Sequence, residues 1–364
     1  MLQFDMLKLD FGREQVIYEG KTYPTGAIAV SALNMDQAII EQMELSCTAL
    51  KSFRSTFNRG KVTDPLLVSA RQAALRILSQ MAEMEPFAHY KDAPLKKMVD
   101  ETYTKPNVTL ATSLSRADNN ITGLTPQQHN ALKMIRLTDV LSNFADAIQI
   151  LQQHIAPFAE DMMDESCSRT IAGFAYAVRD HFDEAITFEE DDPSWTALIN
   201  VTMQYRTAMP EGSKVPVIVT SMDFVSLGGL FRADFFEGLR VGHAPKRCAN
   251  CGRWFLTTNA RPTKYCSEIN PTDPYHRTCR QLASQMGTEA RECAADHPYR
   301  ILKERVRKSI DKRLSRGTLT PELGTKMKHL AKDKMERALA DPQYAHQHYE
   351  AEMTIDALFT EESA

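Results

Sequence analysis

Residues 248–280 read CANCGRWFLTTNARPTKYCSEINPTDPYHRTCR, and the cysteines in this run, Cys248, Cys251, Cys266 and Cys279, are spaced C-x2-C-x14-C-x12-C. Two residues between the first pair allow a tight turn that aims both sulfurs at one point. Gly252, directly after, suits the positive backbone angle such a knuckle needs. Trp254-Phe255 begins a strand, Asn259 to Pro262 makes the return turn, and Tyr265-Cys266 brings back the third thiol. Cys279 stands where a helix begins, with Thr278 as its cap, so its thiolate would face the positive helix end. Four soft thiolates at these spacings favour tetrahedral Zn2+, with an iron–sulfur cluster as the main competitor. Four unrelated buried thiols are the bland alternative, and His276 could replace Cys279 as fourth ligand. A four-thiolate site is closed: it stabilises folding and offers a substrate water no open position.

Working outward, Ser221 can cap a helix running through Phe224, Leu227, Leu230, Phe231, Phe235 and Leu239 into the cluster. Val215 to Thr220 before it is a short β-branched strand signal. Beyond the cluster, His297–Ser315 carries Leu302, Val306, Ile310 and Leu314 at four-residue steps. Gly317 then stops that helix, and Thr320-Pro321-Glu322 starts another with Leu323, Met327, Leu330 and Leu339. The N-terminal region starts as a β-hairpin, with Leu2, Phe4 and Met6 alternating, Val16 to Tyr18 as the second run, and turns at Gly12 and Gly20. Helical stripes follow: Ile40, Met43, Cys47, Leu50, Phe53 and Phe57, then Leu67, Ala70, Ala74, Ile77, Leu78 and Met81 behind Asp64-Pro65. Residues 104–124 are polar and read as a loop. A capping box at Thr125–Gln128 opens a long helix with the seam Leu137, Leu141, Phe144, Ile148, Leu151 and Ile155, ending or bending at Pro157. Further helices are expected over 164–187 and 193–207.

The expected fold class is therefore mainly α. An N-terminal β-hairpin and helical bundle (1–214) precede a small treble-clef-like zinc module (215–295), then a basic helical hairpin with an acidic tail (296–364). No apolar run approaches the ~18 residues of a membrane span, and the first residues lack a signal-peptide pattern. The protein is expected to be cytoplasmic, its seven cysteines thiols or ligands rather than disulfides.

The net charge of −4 conceals an asymmetry: −9 over residues 1–242, +11 over 243–337 and −6 over 338–364. Arg247, Arg253, Arg261, Lys264, Arg277 and Arg280 crowd the cluster. Arg300, Lys303, Arg305, Arg307, Lys308, Lys312, Arg313 and Arg316 follow on the next helix. Such a basic segment suits a polyanion, or pairs with the acidic parts of its own chain.

The run CANCGRWF…TKYCS…RTCR, with a helix before it and a basic hairpin after it, resembles an uncharacterised bacterial zinc-finger family known mainly from gut Firmicutes and their mobile elements. The resemblance covers about residues 215–340. The first half is also similar to the knuckle of CGNR-type zinc fingers of bacterial transcription regulators. There the fourth cysteine follows the third closely and opens Cys-Gly-Asn-Arg; here twelve residues intervene and Arg280-Gln281 follows Cys279.

Two functions from different classes follow. The first is a zinc-binding regulatory or accessory protein that binds DNA or RNA, through Arg253, Arg261, Lys264, Arg277, Arg280, Arg305, Arg307, Lys308 and Lys312. The alternative is a protein-interaction or structural module in which zinc only replaces a core too small to fold alone. No P-loop, GxGxxG, HExxH or GxSxG occurs, so an enzyme is not expected.

Overall fold

The computed structural model describes residues 7–89, 92–114, 125–162, 170–183, 198, 200–258, 263–292 and 297–363. It divides into two compact units: Met1–Arg247 with Arg253–Lys264, and Cys248–Gly252 with Tyr265–Ala364. Helices dominate both, as the periodicity predicts.

The first unit begins with a β-meander, β1 (Leu7–Phe11), β2 (Gln15–Tyr18) and β3 (Lys21–Pro24), and continues into α1 (Ala27–Leu33). The second expected run, Val16 to Tyr18, is β2; Leu2, Phe4 and Met6 lie outside the described residues. Then come α2 (Gln37–Asn58), α3 (Asp64–Met81), α4 (Asp92–Thr102), α5 (Lys105–Leu114), α6 (Pro126–Ser142), α7 (Phe144–Asp161) and α8 (Ile171–Val178). The α2 and α3 stripes read from sequence are all buried. So is the seam from Leu137 to Ile155, which crosses a helix break at Asn143 rather than ending at Pro157. Pro157 sits inside α7 on an exposed position, and the helix continues past it to Asp161.

Three expectations are corrected here. Residues 105–114 form a helix, not a loop: Thr109, Thr112 and Ser113 return their hydroxyls to carbonyls four residues back, so the polar composition is satisfied within the helix. Residues 202–208 form a strand, β4 (Thr202–Ala208), where a helix over 193–207 is expected. Ser221 lies inside β5 (Val217–Phe224), and the cap of α9 (Leu227–Arg240) is Ser226, whose hydroxyl accepts from the Gly229 amide at 3.1 Å. Within 164–187, the described residues hold α8 and one further π-type turn, Arg179–Asp183.

β5 leads the chain back to its start. The sheet order is β3-β2-β1-β5-β4, antiparallel throughout, with Leu7 opposite Phe224 and Phe11 opposite Thr220. Residues 215–247 thus belong with the N-terminal unit, which moves the boundary drawn at 214/215: β5 completes the sheet, and the apolar face of α9 enters the first core. α9 also holds the start of α1. Gly26, at φ 94°, caps α1 without a side chain of its own. The fully buried Asp234 carboxylate on α9 accepts from the Gly26 and Ala29 amides, each at 2.9 Å. The hairpin β6 (Ala244–Arg247) and β7 (Trp254–Thr257) closes this unit. Trp254 packs in the first core, its backbone bonded at both ends to the Asn34 amide.

The second unit contains the knuckle residues 248–252, the cysteine loop, α10 (Cys279–Glu292), α11 (Pro298–Ser315) and α12 (Pro321–Ala340), then short helical turns and a last helix, Ile355–Ser363. α12 has the expected cap, Thr320, and α11 the expected stop at Gly317, φ 67°; α11 itself starts at Pro298, and His297, read as its first residue, is its cap. The boundary drawn at 295/296 is not a division between the units, since the cysteine loop and both later helices lie in the second. The acidic segment is no loose tail. Tyr344, Tyr349, Met353 and Leu358 are buried against Val306, Ile310, Met327, Ala331 and Met335 in a core of their own. Lys334, nearly buried, reaches Glu352 at 2.7 Å and Glu361 at 2.8 Å, and Arg313 reaches Asp356 at 3.5 Å. Among the described residues, no helix is long and apolar enough to cross a membrane.

Candidate metal centre

Each of the four sulfurs is placed by a local device of its own. The knuckle closes through the Gly252 amide, which donates to the Cys248 carbonyl at 2.9 Å with Gly252 at φ 69°, as the spacing demands. That turn directs Cys248 and Cys251 the same way. The Cys266 amide donates to the Cys248 sulfur at 3.4 Å, fastening the loop to the knuckle.

Cys279 is the first residue of α10, and its amide donates to the Glu268 carbonyl at 3.0 Å, next to an antiparallel bridge between Ile269 and Thr278. Thr278 caps the helix as expected. Its hydroxyl accepts from the Gln281 amide at 3.2 Å while the Gln281 side chain accepts from the Thr278 amide at 2.8 Å, a reciprocal box that the spelling Thr-x-x-Gln carries. Asn250 closes the ring by donating to the Cys279 carbonyl at 3.0 Å.

The outcome is one group of four sulfurs, all within 4.8 Å of one another, three buried and Cys251 half-buried. The Cys251 and Cys266 sulfurs are 3.7 Å apart. That is far beyond the ~2.05 Å of a disulfide, and close to the ~3.8 Å edge of a tetrahedron with ~2.3 Å metal–sulfur bonds. The donor set therefore fits a single metal ion. His276 is exposed, outside this group, and its amide serves a turn by donating to the Asp273 carbonyl at 3.2 Å.

The electrostatics point the same way. Burial pushes the Cys266 thiol up to about 11, and burial with the neighbouring sulfurs pushes Cys279 higher still. At Cys248 burial is outweighed by the amides of Cys266, Cys251 and Asn250, which bring the thiol down to about 7. Four thiols so crowded cannot all ionise alone; a divalent cation among them removes the repulsion.

The basic residues separate into those engaged and those exposed. Arg277 is committed to the cysteine loop. It donates to the buried Asp273 carboxylate at 2.6 Å, bonds the Gln285 side chain, and stacks over Tyr275 with 5.1 Å to the ring centre. The Arg277 guanidinium holds Asp273 down at about 2. Asp273 is the residue that sequence reasoning missed: an aspartate four positions before an arginine in a loop carries no distinct signal.

Arg280 is exposed and donates to the Tyr265 carbonyl at 3.3 Å. Arg307 pairs with Glu304 at 2.8 Å, and Arg247, in the first unit, lies over Trp254 and pairs with Glu160 at 2.9 Å. Arg253 and Lys264 are exposed residues of the first unit, and Arg261 lies outside the described residues. Arg305, Lys308 and Lys312 are exposed on α11.

Residues 196–364 match a family described as "Family of unknown function (DUF6076)", a stretch that contains the whole cysteine cluster, both later helices and also β4, β5 and α9. No curated protein and no solved structure matches the chain.

Proposed function

We propose that Cys248, Cys251, Cys266 and Cys279 hold one structural Zn2+ and that the unit it stabilises binds nucleic acid through the outer face of α11. The observation that carries the second part is a row of cations. Arg305, Lys308, Lys312 and Arg316 are separated by three, four and four residues, which places them on one stripe of the helix. All four are exposed, and none pairs with a described residue. The stripe runs for about 16 Å, opposite the buried Val306 and Ile310. Three carboxylates of the acidic segment, those of Glu352, Asp356 and Glu361, go instead to Lys334 and Arg313. Of the residues named from sequence, Arg305, Lys308 and Lys312 keep their role, Arg280 sits at the start of α10, and Arg277 and Arg307 drop out because carboxylates engage them.

A knuckle followed by a helix whose first turn supplies the last ligand is treble-clef-like, and zinc suits its four sulfurs better than an iron–sulfur cluster, which needs room for inorganic sulfide. When bound, the ion supplies charge and a fixed crossing point. With four thiolates its coordination is complete, which supports a non-catalytic role. A reducing, cytoplasmic setting belongs to the same proposal, since the thiols must stay unoxidised to bind.

Elemental analysis of protein purified without added metal should find one zinc per chain, and none in the Cys248→Ser/Cys266→Ser variant. Fluorescence anisotropy against duplex DNA and single-stranded RNA over a salt series should show affinity falling steeply with salt, by a log–log slope of about 0.9 per phosphate neutralised on duplex. Replacing Arg305, Lys308, Lys312 and Arg316 by glutamine should abolish most of that slope. Zinc-loaded protein with no salt-sensitive binding to either polymer would refute the nucleic-acid reading.

A protein-interaction or structural role is the second reading. It is favoured by the number of cations already paired within the chain, Arg277, Arg307, Arg313 and Lys334 among them.

A further inference from the structure

The two edges of the five-stranded sheet in the first unit are built differently. β3, at one edge, has only four residues, starts with Lys21 and ends with Pro24. Short length, lysine and proline are the devices by which an edge strand is kept from pairing with another chain. β4, at the other edge, has seven residues, TMQYRTA, without lysine, proline or glycine. Its residues are exposed on both faces up to a half-buried Ala208, and no described strand pairs with its outer side. Such a strand presents a row of free backbone donors and acceptors about 23 Å long.

The side chains on β4 make the edge more receptive. Met203, Tyr205 and Thr207 share one face and lie opposite Met222, Thr220 and Ile218 of β5. Met222 and its β1 neighbour Leu9 are buried, so this face continues the core side of the sheet outward into solvent. There Met203 is 58% exposed, Tyr205 76% and Ile218 77%.

The one charge on the strand, Arg206, does not guard the edge. It turns inward along the other face and pairs with the buried Asp10 of β1, Nε to Oδ1 2.8 Å. The hairpin beyond is tied down as well, since the Glu211 amide donates to the Thr22 hydroxyl at 2.9 Å. Among the described residues, the edge is therefore held in place without a free charge and without a strand over it.

We infer that β4 pairs antiparallel with β4 of a second copy of this chain, about a two-fold axis at Tyr205, joining the two sheets into one of ten strands. The choice of a second copy rests on the complementarity of this strand with itself. Reversed about Tyr205, it sets Thr202 against Ala208, Met203 against Thr207 and Gln204 against Arg206. No like charges meet: Arg206 faces an amide, and its charge is already matched by Asp10. The apolar row of one copy continues into that of the other, with the two Tyr205 rings as the central cross-strand pair. An unrelated peptide strand would gain the backbone bonds but not this matching.

The test uses the full chain in sedimentation velocity from sub-micromolar to tens of micromolar. Wild type should shift from monomer to dimer. Tyr205→Lys and Tyr205→Glu each place like charges across the axis and should each be monomeric, with at least a tenfold weaker dimerisation constant. Mixing the two variants should restore a dimer containing one of each. Tyr205 is a surface side chain, and unchanged circular dichroism and melting temperature verify that the variants fold.

A wild-type chain that stays monomeric throughout overturns the inference. So does a dimer that Tyr205→Lys leaves intact, because it would use another surface. A failure of the mixed variants to pair would remove the two-fold axis at Tyr205.

Discussion

Replacing Asp234 by alanine tests how the two ends of the first unit are joined. The carboxylate is fully buried and serves two amides at the start of α1, those of Gly26 and Ala29. Removing it leaves both donors unsatisfied among side chains that water does not reach, at about 1–3 kcal/mol each. Against that stands the cost of the buried charge. Burial raises the Asp234 carboxyl from 3.8 to about 6, with the amides of Ala29, Gly26 and Ile28 pulling the other way. At neutral pH its removal therefore relieves up to about 3 kcal/mol, and the expected net loss is about 1–3 kcal/mol.

The sign of the pH dependence is specific. Because the folded pKa lies above the unfolded one, the folded state holds more protons between pH 3.8 and about 6. Stability from this group therefore grows as pH falls through that window. The alanine variant lacks this gain, so its deficit should widen by about 1 kcal/mol from pH 7 to pH 5. Urea unfolding at the two pH values measures the deficit, and hydrogen exchange of the Gly26 and Ala29 amides reports the lost bonds directly. A deficit that shrinks on acidification, or unchanged protection of those amides, would refute the reasoning.

Gly238→Ala should destabilise by about 1–3 kcal/mol in thermal melts, although alanine is the better helix former. A Cβ there would sit 3.0 Å from the Gly26 Cα and 3.2 Å from the Thr25 carbonyl, backbone atoms that His243 also pins through a 2.8 Å contact to Thr25. In the second unit, Lys334→Met should cost about 1–2 kcal/mol, a figure reduced for the partial exposure of Glu352 and Glu361. Its pH signature is the reverse of that of Asp234. Lys334, and then the Tyr344 hydroxyl, hold Glu352 below its ordinary 4.5, so that contribution is present above 4.5 and fades as pH falls below it. Acid unfolding of the second unit should be shallower in the variant than in wild type.

The parts of the fold that were legible from sequence are those where one local rule decides. The α2 stripe from Ile40 to Phe57 is buried residue for residue because a helix with one apolar face has one way to pack. The caps at Thr125 and Thr320 and the positive angle of Gly252 depend on neighbours within four residues. The cysteine spacing located the candidate site for the same reason.

What escaped depends on distant partners. β4 carries an alternating Met203-Gln-Tyr205-Arg-Thr207, but a two-residue period over so short a run cannot be told from a helix without knowing that β5 lies alongside. The break at Asn143 is hidden because the seam from Leu137 to Ile155 keeps its spacing through two helices. Asp234 and Asp273 carry no distinct signal in the sequence; only the fold supplies the amides of Gly26 and Ala29 to the one and the guanidinium of Arg277 to the other.

The pairing of Leu7 with Phe224 sets the timing of biosynthesis. A ribosome adding about 5–20 residues each second needs roughly 10–40 s to travel from β1 to the end of β5. Throughout that interval β1 has β2 on one side but no strand on the other, and Leu7, Leu9 and Phe11 have no helix α9 to shelter beneath. Aggregation during translation would begin at that segment. Chaperone capture of the nascent chain should be strongest there until residue 240 has cleared the exit tunnel, then fall abruptly.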